Sequence, residues 1–193
     1  MLARRLFQGA LVLTAAIGLL AMAGPAVAQG CTCAATPPFG TNNADMLTGT
    51  GGADCIYGFG GTDVISGLAG ADCLDGGSEG DTIDGGEDND HVFGDSGSDD
   101  LNGGNQHDTV DGWTENDTFV QGGFGVDTCL GFTGDDFMRG HRGADDLFGE
   151  DGNDTIFGDG ENDFLDGDFG IDSLDGGTGT DTCVNGETVV NCP

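Results

Sequence analysis

Sixteen aspartates recur through this 193-residue chain at a spacing of nine. They are Asp45, Asp54, Asp63, Asp72, Asp81, Asp90, Asp99, Asp108 and Asp117, then, after one extra residue, Asp127, Asp136, Asp145, Asp154, Asp163, Asp172 and Asp181. Each stands five residues after a glycine, and glycines also recur at the second and fourth positions of many units. Glycine tolerates left-handed backbone and lets neighbouring turns approach closely, so peptide carbonyls can converge beside each carboxylate. Such a donor set is all hard oxygen, suited to a cation that takes about six to eight oxygens at about 2.3 to 2.6 Å. With no nitrogen or sulfur on offer, zinc and copper are disfavoured.

The elements that must position these carboxylates follow from the repeat. Nine copies run from Gly40 to Val120, Gln121 reads as an inserted residue, and seven more run to Val184. The eighth position is apolar throughout, as in Leu47, Ile56, Ile65, Leu74, Phe119, Met138 and Ile156, with Cys129 and Cys183 in the same column. One apolar residue per nine cannot make a core alone, so units must stack. Two units form an 18-residue coil, the eighth residue points inward and its neighbours outward, and successive coils lie at the parallel-strand spacing of about 4.8 Å. Eight coils then make a rod about 34 Å long, with the aspartates along its two edges.

These residues resemble the repeats-in-toxin (RTX, hemolysin-type) family, whose nonapeptide reads G-G-x-G-x-D-x-U-x, over Gly40 to Val184. The resemblance implies an all-β fold, a parallel β-roll akin to a right-handed β-helix, built from 16 nonapeptides at two per coil. It implies six residues of turn and three of strand per unit, and Ca2+ held between stacked turns by the sixteen aspartates. Seven gaps on each of two edges allow at most about 14 ions. Position four decides which sites are best formed. Gly134, Gly152 and Gly170 stack on one edge, which favours Asp136, Asp154 and Asp172, then Asp54 with Asp72 and Asp127 with Asp145. Residues 76–120, with Glu79, Asp88, Gln106 and Glu115 at position four, are expected to bind more weakly.

Charge points the same way. The formal net charge is -31, and without Arg4 and Arg5 the 35 acids face only Arg139 and Arg142. Self-repulsion of that size opposes a compact state, and about 14 calcium ions would nearly cancel it. A disordered acidic tract shares this composition but has no reason to keep an apolar eighth column.

The ends read as processing and capping segments. Residues 1–28 carry Arg4 and Arg5, an apolar stretch from Ala10 to Ala23 and an Ala26-Val27-Ala28 site, the pattern of a cleaved secretory signal. The expected location is extracellular, with no membrane span in the mature chain and association with a cell surface or matrix; the alternative is a lipid anchor at Cys31. Residues 29–39 form an N-terminal cap, 40–184 the roll, and 185–193 a C-terminal cap. Export permits disulfides. Cys55 and Cys73, 18 apart on one outer face, are within reach of a Cys31-x-Cys33 arm, Cys183 ties down Cys192, and Cys129 is left unpaired as core filler.

Other functions fit poorly. Gly94-Asp95-Ser96-Gly97 resembles a serine-protease nucleophile motif but falls in register with the repeat. His91, His107 and His141 make no H-E-x-x-H, and without any lysine there is no phosphate-binding G-K-[ST]. Two arginines cannot neutralise a nucleic-acid backbone in this field. The reading is a non-enzymatic, secreted, calcium-binding structural module. The alternative is a calcium-dependent adhesin or ice-binding roll, for which the mixed seventh column, with Met46, Cys55, His91 and Asp100, lacks a regular threonine ladder.

Overall fold

A computed structural model describes residues 39–192. The leader, the Cys31-x-Cys33 arm and the lipid-anchor site at Cys31 lie outside the described residues.

The chain winds through strands β1 (Met46–Thr48) to β17 (Thr188–Val190), all parallel, with no helix among the described residues. Odd-numbered strands form a nine-stranded sheet and even-numbered strands an eight-stranded one, so each coil contributes one strand to either face. This is the parallel β-roll at two units per coil. The register is 18 residues, as in Cys55↔Cys73 and Ile56↔Leu74.

From β2 (Cys55–Gly60) to β13 (Thr155–Gly160) the strands are six residues long, twice the expected three. The ladder runs from position seven through position three of the following unit and skips only the opening glycine: Tyr57↔Asp75 is followed by Phe59↔Gly77. The pairing is maintained by a left-handed second position. Phe59, Leu68, Trp113 and Phe132 all adopt positive φ there, between 72° and 82°, in a region where glycine is at home and bulky residues are strained.

Fifteen residues from Leu47 to Leu174, one per unit, form the buried core, with Cys183 packed against its lower end. A second apolar cluster, Cys55, Tyr57, Cys73 and Phe93, lies outside the even-numbered sheet. Cys55 and Cys73 are both disulfide-bonded, and Cys183 is bridged to Cys192 with a Cα separation of 5.9 Å. Cys129 is free and buried.

The inserted residue is not where the repeat alignment put it. Val120, not Phe119, occupies the core column, paired with Leu101 and Met138. Gln121 holds an ordinary ninth position opposite Asn102, and Phe119 stands outward opposite Asp100. The extra residue is absorbed just after Asp117. There the N–H groups of Thr118 and Phe119 both point at the Asp99 carbonyl, at 2.8 and 3.3 Å, a bulge of two residues against one. The smaller β-branched side chain takes the interior, and the larger ring packs outside, edge to face with Phe137 at 5.2 Å.

The C-terminal cap is itself structured. Residues 188–190 form β17, which extends the odd-numbered sheet by pairing with Ser173–Asp175.

Candidate metal centre

Each turn places its aspartate at the edge of a coil, and successive coils bring these residues into register. Asp54, Asp72, Asp90, Asp108, Asp127, Asp145, Asp163 and Asp181 run down one edge. Asp45, Asp63, Asp81, Asp99, Asp117, Asp136, Asp154 and Asp172 run down the other. All but the half-buried Asp45 are buried, none more than 8% exposed.

The two oxygens of each carboxylate have different surroundings. From Asp63 onward, Oδ1 accepts a hydrogen bond from the backbone N–H of the aspartate one coil earlier: Asp54 donates to Asp72 at 2.7 Å, Asp90 to Asp108 at 2.8 Å, and Asp136 to Asp154 at 2.9 Å. The ladder continues across the bulge, where Asp117 donates to Asp136. At its lower end Glu187 replaces the missing aspartate and accepts from the Asp172 N–H at 2.7 Å. Sequence reasoning missed Glu187 because it lies 15 residues on, out of the repeat register.

Oδ2 is different. From Asp63 to Asp181 this oxygen is buried without a hydrogen-bond partner in fourteen successive aspartates. Only Asp45 and Asp54 have it satisfied, by the N–H and hydroxyl groups of Thr41 and Thr50 respectively. A buried charged oxygen with no partner is among the costliest features a fold can contain.

Backbone carbonyls accompany these orphans. A Cβ placed on Gly103 would lie 2.7 Å from both Asp108 Oδ2 and the Gly122 carbonyl. At Gly131 the corresponding distances are 2.5 Å to Asp136 Oδ2 and 2.9 Å to the Gly149 carbonyl. A second convergence occurs at position four. On Gly143 a Cβ would collide with the Gly125 carbonyl and lie 2.7 Å from Asp145 Oδ1, and Gly152 and Gly170 repeat the arrangement with Asp154 and Asp172. At Gly70, by contrast, the nearest atoms are the Gly52 carbonyl carbon and the Ala53 nitrogen, with no carboxylate oxygen. Among the described residues no three side chains of His, Cys, Asp or Glu converge into a cage.

Burial acts on the protonation of these groups. Desolvation pushes Asp90 and Asp117 up to about 8, and Asp81, Asp145, Asp154 and Asp163 up to about 7. The backbone N–H donor opposes the shift, while neighbouring carboxylates reinforce it. The two arginines among the described residues do not relieve it. Arg139 pairs with Asp159 on the outer face of the odd-numbered sheet, and Arg142 lies over the Phe124 ring. What this environment lacks is positive charge at the Oδ2 positions, and a hard divalent cation fits the oxygens present.

His91, His107 and His141 are separated on the surface. His107 accepts from the Val126 N–H, and His141 lies between Gln121 and Asp159.

No curated protein matches the chain significantly. The model of the RTX calcium-binding nonapeptide repeat matches four segments, residues 39–74, 75–110, 130–165 and 157–187. The unmatched stretch, 111–129, is the one that contains the Thr118 bulge, where the nine-residue spacing fails. With the matched segments covering most of the roll, and glycine, aspartate and apolar residue each in the geometric role described above, the chain belongs to the RTX calcium-binding nonapeptide repeat family.

Proposed function

We propose that this protein is a secreted roll whose fold depends on Ca2+, serving as a structural or surface-associated module rather than an enzyme. The observation that carries the reading is the file of fourteen buried Oδ2 atoms, each without a protein partner. The aspartates from Asp63 to Asp181 would hold the ions together with neighbouring carbonyls, and Asp45 and Asp54, with Oδ2 already engaged by Thr41 and Thr50, would contribute least. A bound ion supplies the positive charge that no described side chain brings to the coil edges. It also cross-links coils whose interior offers a single apolar residue per unit.

Binding and folding are then one event. Where calcium is scarce the acidic chain repels itself and stays unwound, and where calcium is abundant it winds up. Such a chain crosses a membrane unfolded and folds outside, which fits the leader pattern in residues 1–28.

Calcium titration of the mature chain, followed by far-UV circular dichroism, tests this. A coil spectrum is expected in chelator, with a cooperative rise of β signal at micromolar to millimolar calcium. A spectrum already rich in β structure in chelator would overturn the proposal.

A further inference from the structure

Outside the odd-numbered sheet, on the face away from the aspartate edges, lies a groove of about 580 Å3. Its origin is the second position of the repeat. At Leu68, His141 and Asp159 this left-handed position carries a side chain that stands off the sheet. In three successive coils it is glycine, Gly86, Gly104 and Gly123, paired in that order. The floor is therefore bare between Leu68 at one end and His141 at the other. Four strand spacings separate those ends, about 19 Å.

The walls mix apolar and polar groups, and the polar ones are incompletely paired. On one side Asn102 Nδ2 donates to Asp84 Oδ1 at 2.8 Å, which leaves the other Asp84 oxygen and the Asn102 carbonyl able to accept. On the other side Glu87 and Asn105 are exposed, and the Asn105 amide makes no hydrogen bond among the described residues. Beyond them Phe124 is 55% exposed, with the Arg142 guanidinium 5.7 Å from its ring centre. His141 is steadied by Gln121 at 3.0 Å.

We propose that this groove binds a short neutral oligosaccharide. Hydroxyl groups donate and accept at once, matching adjacent amide and carboxylate groups, and the C–H face of a sugar ring lies well on an exposed aromatic ring. The volume is that of a small-ligand site. The competing occupants fit less well. An extended peptide would need free backbone groups to pair with, and those of the floor are spent in the ladder. An anionic ligand meets Asp84, Glu87 and a chain of net charge -31. An apolar ligand would desolvate four polar side chains with no return. The walls sit on a parallel ladder and are already in place, so little ordering is needed on binding.

The test titrates the calcium-loaded full chain with maltotetraose, cellotetraose and mannotetraose by isothermal calorimetry, with circular dichroism on the same samples to report the fold. At least one sugar is expected to saturate a single site. Phe124→Ala and Asn105→Ala, both exposed and harmless to the core, should each weaken binding about tenfold with an unchanged dichroism spectrum. Phe169→Ala, a 68% exposed ring outside the groove, should leave binding unchanged. The proposal is overturned if none of the three sugars saturates, if both groove variants bind as the parent does, or if a tetralysine peptide binds with the same dependence on Phe124 and Asn105. Because the calcium-dependent fold is read separately, failure here leaves the metal reading standing.

Discussion

The backbone N–H of Asp136 donates to Oδ1 of Asp154, one coil away, at 2.9 Å. One carboxylate oxygen therefore serves the coil above, while the other is buried without a partner. Substitution separates the two roles. Asp154→Asn keeps an acceptor for the Asp136 N–H but removes the charge. Its folding midpoint should move to higher calcium concentration, because the site loses a charged oxygen. Asp154→Ala also strands the Asp136 N–H, at a further cost of about 1 to 3 kcal/mol. Calcium titration by circular dichroism and urea unfolding in saturating calcium distinguish the variants. An Asp154→Asn calcium midpoint equal to the parent's would contradict the metal role.

Protonation should oppose calcium. The folded, metal-free chain holds Asp90 and Asp117 near 8 and Asp81 and Asp154 near 7, against about 3.9 for an unfolded aspartate. Since the folded values are raised, the folded state binds more protons between about pH 4 and 8. The corresponding stability is fully present below pH 4 and is lost as pH rises through 7 to 8. In chelator, acidification from pH 8 to 5 should therefore increase β signal. In calcium the order reverses, because protons compete for the same oxygens: the calcium midpoint at pH 6 should lie above that at pH 8. Dichroism at both pH values measures each effect.

The second position of the repeat stores strain that glycine would release. Leu68 adopts a φ of 82° and is 47% exposed, so truncating it sacrifices little burial. Leu68→Gly should stabilise the calcium-loaded roll by about 1 kcal/mol, whereas Leu68→Ala, which keeps the Cβ, should not. Gly143→Ala should do the opposite and disrupt its turn, since the added Cβ meets the Gly125 carbonyl at a φ of 150°. Thermal unfolding in saturating calcium gives all three.

The lower end of the roll depends on a chemical clasp. Cys183–Cys192 closes a nine-residue loop that holds β17 against Ser173–Asp175, and Glu187 within it caps the Asp172 N–H. Replacing both cysteines with serine should cost about 2 to 3 kcal/mol. Amide exchange should quicken first at residues 188–190, while residues near Ile156 keep their protection.

Sequence and structure agree where one geometric demand admits one residue type. The opening glycine was legible because a Cβ at Gly103 would meet Asp108 Oδ2 and the Gly122 carbonyl, so no other residue fits. The aspartate column was legible as a site for the same reason. The N–H to Oδ1 ladder was not, since it joins identical residues and leaves no trace in composition. Nor was β17, whose three residues show no repeat. Strand length was underestimated because the strained second position still pairs, as Phe59 and Leu68 do.

The bulge after Asp117 was hidden for another reason: Thr118-Phe119-Val120 offers two apolar residues in succession, and either satisfies an apolar eighth column. Packing separates them. Between Leu101 and Met138 the interior takes Val120, fully buried, while Phe119 is 37% exposed against Phe137. Val120→Asp should therefore abolish calcium-induced folding of the central coils, because it buries a charge away from the edges where ions would sit. Phe119→Asp should fold and lose only the aromatic contact, about 1 kcal/mol. Tryptophan fluorescence is a suitable reading, since Trp113 stacks on Phe132 at 5.1 Å within these coils. If Phe119→Asp proved the more damaging of the two, the register would be that of the repeat alignment, and the extra residue would be Gln121 after all.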